Sequence, residues 1–145
     1  MMSAISPSES LVCTQPVQGT HLIADLQGCA CSIALLCDAS LLASHLKATV
    51  RDAGLSAVGE TFHKFPDTPP QPGGVTGVVL LAESHVAVHT WPEFGVVTLD
   101  VYVCNYSADN SARAAALMDA LCRLFSPRQA HRQSLSRCGV TATAA

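Results

Sequence analysis

GVVLLAESHVAVHTWPEFGVVTLDVYVC, running from Gly77 to Cys104, is the stretch on which the reading of this chain turns. Together with Val75 and Thr76 it holds three runs of strand-forming residues: Val75–Leu81, His85–Thr90 and Val96–Val103. β-Branched and aromatic residues dominate them, and Pro92 and Gly95 stand in the second connection. Those connections are too short for the helical crossover that parallel neighbours need, so the three strands are expected to pair antiparallel. The same block holds Glu83, Ser84, His85, His89, Trp91, Glu93, Asp100 and Cys104. Polar side chains inside buried strands are costly unless they are satisfied, so their concentration here marks the chemistry.

Outward from this block the pattern continues. His21–Cys29 reads as a strand stopped by Gly28, and Leu55–Phe65 as another. Asp38 is placed to cap a helix reaching about Ala53, with Leu42, Leu46, Val50 and Ala53 on one face. Pro66–Gly74 (PDTPPQPGG) can only be a loop. Asp109 opens a second helix through Phe125, with Ala115, Met118, Cys122 and Phe125 in register and Pro127 as its stop. A last strand is expected near Gln133–Cys138. The implied fold is α+β, an antiparallel sheet with two main helices packed on one face as a two-layer sandwich. Residues 1–18 are expected to be a loose N-terminal segment, 19–138 a single domain and 139–145 a tail.

Composition narrows the function. The chain has 145 residues, 49% of them hydrophobic and 13% charged, enough to bury a core. Eight Lys and Arg residues and a net charge of −3 argue against nucleic acid and against a polybasic membrane anchor. The N-terminus has neither the basic nor the apolar region of a secretion signal, and no apolar run is long enough to span a bilayer. A cytoplasmic location is expected. The seven cysteines then read as free thiols, mostly small buried apolar residues.

Residue chemistry alone leaves alternatives open. Ser84, His89 and Cys104 could form a nucleophile, base and acid. His85 and His89 share strand parity and with Cys104 could bind zinc, although the spacing fits no common zinc motif. Both histidines could equally be ordinary sheet residues. The segment AESHVAVHTWPEFG followed by LDVYVC resembles the signature of prokaryotic S-adenosylmethionine decarboxylase proenzymes. The matching residues are Glu83-Ser84-His85, His89-Thr90-Trp91-Pro92-Glu93, Asp100 and Cys104. HLIADLQGC, FHKF and GVTGVV resemble further family segments, so the likeness runs from about Thr20 to Asn105. The chain departs from the family pattern in a longer 66–74 loop, in Gln27, Phe94 and Asn105, and after Ser126.

The resemblance implies a chain that cuts itself between Glu83 and Ser84 and carries a pyruvoyl group derived from Ser84, with no metal. It implies His89 as the processing base, Thr76 as its assistant and Cys104 as the proton donor in catalysis. Phe65 would stack on adenine and Glu93 would hold the ribose. The expected small-molecule substrate is S-adenosylmethionine, decarboxylated to the aminopropyl donor of spermidine synthesis. The expected assembly is a homodimer of processed protomers, each made of an α and a β chain from one precursor. One alternative is a pyruvoyl-dependent arginine or ornithine decarboxylase on the same fold. Another is a non-catalytic, metal-binding or interaction module.

Overall fold

The computed structural model describes residues 18–82 and 84–138. Glu83, residues 1–17 and residues 139–145 lie outside the described part, and with them one side of the expected cleavage site, most of the loose segment and the tail. The elements run β1 (Gln18–Gln27), α1 (Ile33–Cys37), α2 (Ala39–Asp52), β2 (Ala57–Lys64), β3 (Val75–Leu81), β4 (Ser84–Trp91), β5 (Val96–Cys104), α3 (Ser111–Phe125) and β6 (Gln129–Cys138). The strands form one antiparallel sheet in the order β2-β3-β4-β5-β1-β6.

Strand parity divides the sheet into two faces. Val75, Val79 and Leu81 of β3, Val86 and Val88 of β4, and Val97, Leu99, Val101 and Val103 of β5 are buried under the helices with Ala24 and Leu26 of β1. Leu42, Leu46 and Val50 of α2 and Leu117, Met118, Leu121 and Phe125 of α3 close that core from above. Full burial of one such side chain contributes about 1.5–3 kcal/mol. The opposite face presents Ile23, Val78, Leu80, Ala87, Tyr102 and Leu135, and carries no helix among the described residues.

The cap on α2 is the expected one: Asp38 Oδ1 accepts the backbone N–H groups of Ser40 (2.9 Å) and Leu41 (3.0 Å). Such a cap contributes about 1 kcal/mol. The face of α3 differs from the sequence reading, because Ala114, Leu117 and Leu121 turn inward while Ala115 is exposed and Cys122 only partly covered. Ala115 and Cys122 flank the apolar stripe of this alanine-rich segment, and packing against β1 and β5 selects Ala114, Leu117, Met118, Leu121 and Phe125. The five-residue α1 was not anticipated; it is too short to show a period.

Candidate active site

The turn between β3 and β4 is set by the pair Leu81↔Ser84, which leaves Ala82 and Glu83 as its connection. Ser84 is therefore the first residue of β4. Ser84 Oγ accepts the Cys104 backbone N–H at 2.9 Å, joining the start of β4 to the end of β5. Both residues line a cleft of about 180 Å³, along with Ala82, Asn110 and Arg113. Asn110 Nδ2 donates to the Cys104 carbonyl at 3.2 Å, and Arg113 Nη1 donates to Asn110 Oδ1 at 3.0 Å.

A larger cleft, about 430 Å³, opens toward the other end of β4. Phe65, Thr76, His89, Trp91 and Glu93 line it, together with the 66–74 loop. Thr76 and His89 are register partners, with Thr76 Oγ1 and His89 Nδ1 2.9 Å apart. Between His89 and Trp91, the buried Thr90 hydroxyl donates to Leu36 O at 2.7 Å and accepts the Val75 N–H at 2.8 Å. That bond fixes β3 against β4 where the dyad sits. Phe65 is half exposed and meets the His63 ring edge-on at 4.8 Å. Glu93, in the turn after β4, is exposed at the cleft.

The loop wall of this cleft is braced from within. Lys64 Nζ donates to Asp67 Oδ1 (2.6 Å), Phe65 O (2.9 Å) and Gly73 O (2.9 Å), and Gly73 N donates to Asp67 Oδ1 (2.8 Å). A Cβ at Gly73 or Gly74 would run into the carbonyls of Phe65 and Thr90, so the loop closes flush on the strand only because both are glycines. The hydrogen bond from Lys64 is the main reason the Asp67 carboxyl is held below its ordinary range.

The structure thus sorts the expected site residues into two groups rather than one. Ser84 and Cys104 lie at one end of β4; Phe65, Thr76, His89 and Glu93 lie at the other. β4 keeps unbroken register with β5 from His85 to Trp91, so no bulge folds the strand back. Five residues of extended chain separate Ser84 from His89 by about 16 Å, on opposite faces. Ser84, His89 and Cys104 of one chain therefore do not form a triad. The zinc reading fails for a related reason: His85 and His89 share a face but stand about 13 Å apart along a straight strand. Among the described residues no three His, Cys, Asp or Glu side chains converge as a ligand set.

Sequence reasoning missed Lys64, Asp67, Asn110 and Arg113, whose partners come from distant or irregular segments. Thr90 carried a signal, being a hydroxyl at a buried strand position. Of the remaining cysteines, Cys29 is partly buried and its thiol is pushed up to about 11, first by burial and then by the neighbouring Cys31 and Cys122. Burial also raises Cys31, Cys37 and Cys122. Cys13 and the side chain of Cys138 lie outside the description.

A family profile described as S-adenosylmethionine decarboxylase matches residues 20–138. The S-adenosylmethionine decarboxylase proenzyme of Aquifex aeolicus is 38% identical over 116 residues, covering 79% of this chain and 77% of that protein. The proenzyme of Archaeoglobus fulgidus is 41% identical over 88 residues, 61% of this chain and 72% of its own. The crystal structure of the Aquifex aeolicus adenosylmethionine decarboxylase superposes with a TM-score of 0.71 at 31% identity, covering 89% of this chain and 97% of that one. The chain belongs to the S-adenosylmethionine decarboxylase family. The match continues through β6, beyond Ser126, where the sequence had looked divergent. No helix among the described residues is long and apolar enough to cross a membrane.

Proposed function

We propose that the chain is a proenzyme that cuts itself between Glu83 and Ser84, and that the processed 19–138 domain decarboxylates S-adenosylmethionine. The decarboxylated product is an aminopropyl donor of the kind used in spermidine synthesis. The observation that carries this reading is the Ser84 hydroxyl at the turn-to-strand boundary, held by the Cys104 N–H. That donor fills one lone pair of Oγ and leaves the hydroxyl proton free for a base.

Processing follows from these groups. Ser84 Oγ attacks the Glu83 carbonyl carbon; the C–N bond breaks, an ester forms and the Ser84 amine is freed. A base removes the Ser84 Cα proton, and the Cβ–O bond breaks so that Oγ leaves as part of the Glu83 carboxylate. Water adds to the dehydroalanine and ammonia departs, leaving a pyruvoyl group at the head of the α chain. The placement of Ser84 suits that group, since a residue converted there sits beside Cys104 in a cleft with polar walls. A bound pyruvoyl group supplies an electron sink for the electrons released as CO₂ leaves. Cys104 holds a proton for the substrate Cα, Phe65 offers its half-exposed ring to adenine, and Glu93 offers a carboxylate to the ribose hydroxyls.

We read His89, assisted by Thr76, as the processing base; its separation from Ser84 along β4 supports its serving a second copy. A two-fold axis near Ala87, at the centre of the open face, would bring the His89 end of one β4 to the Ser84 end of the other. Val78, Leu80 and Tyr102 around it supply apolar area for such contact. We therefore read the working unit as a homodimer of processed protomers, each an α and a β chain, with both sites at the interface. The thiols fit a cytoplasmic setting.

Intact mass spectrometry under denaturing conditions tests the reading. Two fragments broken after Glu83, the second bearing the pyruvoyl mass in place of an N-terminal Ser, are expected. A single uncut chain after prolonged incubation would remove the mechanism.

A further inference from the structure

Cleavage creates a charge that the precursor lacks. The reaction proposed above turns the Glu83 carbonyl into a carboxylate, next to a cleft lined by both of its chain neighbours, Ala82 and Ser84. Among the residues lining that cleft, Arg113 alone is charged. The Arg113 side chain is exposed at the mouth of that cleft. Its Nη1 is tethered to Asn110 Oδ1, and Asn110 is tied to the Cys104 carbonyl. Its Nε lies where a Cβ on Gly54 would be 3.4 Å away, so the end of α2 leaves room for it.

The position is otherwise unfavourable for a cation. Arg113 stands in the first turn of α3, a turn with no acidic residue, where the helix dipole disfavours positive charge. Among the described residues no carboxylate pairs with it. An anion arriving in the cleft would meet both the guanidinium and the N-terminal end of α3, and would relieve that cost.

We propose that Arg113 is the anchor for the carboxylate released at Glu83, a carboxylate-binding site that exists for use only after self-cleavage. This rests on the processing reading. Arg113 pairs with the new β-chain terminus, draws it away from the head of the α chain and keeps the cut ends from blocking substrate. The guanidinium forms charge-assisted hydrogen bonds to the carboxylate without any change of covalent structure.

The test compares Arg113→Gln in two backgrounds, the self-cleaved protein and the uncut Ser84→Ala protein, at matched concentration. Melting temperature should fall by roughly 2 °C in the cut protein and stay unchanged in the uncut one, as expected for an exposed ion pair. The difference should shrink in 1 M NaCl, and Arg113→Lys should keep part of it. Equal effects in the two backgrounds would overturn the inference. So would an Arg113→Gln chain that fails to cut, which would assign the guanidinium to the cleavage step, or a raised KM with no difference in melting, which would assign it to substrate. If the unsubstituted chain does not cut, the processing reading itself fails, and that outcome is separate.

Discussion

Thr76 Oγ1 lies 2.9 Å from His89 Nδ1, across adjacent strands and in direct register. The contact fixes the imidazole plane and directs Nε2 away from β3. When Nδ1 is unprotonated the hydroxyl donates to it; when it carries a proton the hydroxyl accepts. Thr76→Val keeps the shape and removes that partner, so self-cleavage should slow by about tenfold or more, while Thr76→Ser should restore most of the rate. A time course of chain cleavage on gels measures both.

The division of the site along β4 gives a sharper expectation. Ser84→Ala alone and His89→Ala alone should each give uncut, inactive chains. Co-expressed, they form mixed dimers in which one site has lost both groups and the other has lost neither. Cleaved chain should then appear, and all of it should carry the His89→Ala substitution. Mass spectrometry of the mixture reads this directly, and no cleavage would mean that each copy uses its own His89.

The brace under the cleft wall makes the 66–74 loop sensitive to acid. Asp67 is held below its ordinary range when folded, so its contribution is present above that range and is lost as pH falls through its depressed value. Trp91, the single tryptophan of the chain, lines the same cleft and reports on it. Its fluorescence should change below about pH 4 in the parent protein, and at neutral pH already in Lys64→Met. Lys64→Met should raise KM several-fold with kcat little changed, because the loop shapes binding rather than bond breaking.

At the alkaline end Cys29 sets the limit. Its folded value of about 11 stands above the ordinary 9.0, so the neutral thiol is favoured by folding. That contribution is complete below pH 9.0 and declines as pH rises toward about 11. Denaturant midpoints measured at pH 8, 9.5 and 10.5 should fall, and Cys29→Ala should flatten the fall. Alkylation of Cys29 at pH 8 should be slow.

Much of this molecule was readable from residue order, for identifiable reasons. β3, β4 and β5 were legible because one face of each is buried and the other is not, which writes a period of two into the sequence. The odd separation of Ser84 and His89 puts them on opposite faces of a straight strand, so both could act at one site of one chain only through a bulge, a bend or a turn. β6 was found only in its last residues because Gln129–Arg137 is exposed along its length and shows no apolar face. The insertion of β1 between β5 and β6 leaves no local trace at all, since it depends on hydrogen bonding between residues as far apart in sequence as Gly19 and Cys104 or Gln18 and Cys138. The motif supplied the candidate site residues, but a motif lists partners without saying at which end of β4 each one lies.

The sheet order has one last consequence. A cut after Glu83 divides the strands so that β1, β2 and β3 go with one fragment and β4, β5 and β6 with the other, yet β1 remains clasped between β5 and β6. The two fragments are interleaved, and the mature protein is a split chain that cannot come apart without dismantling its own middle. Once denatured it must find its other half by diffusion, so its recovery becomes second order in concentration. With the proposed cut made, the persistence of the protein depends on not unfolding.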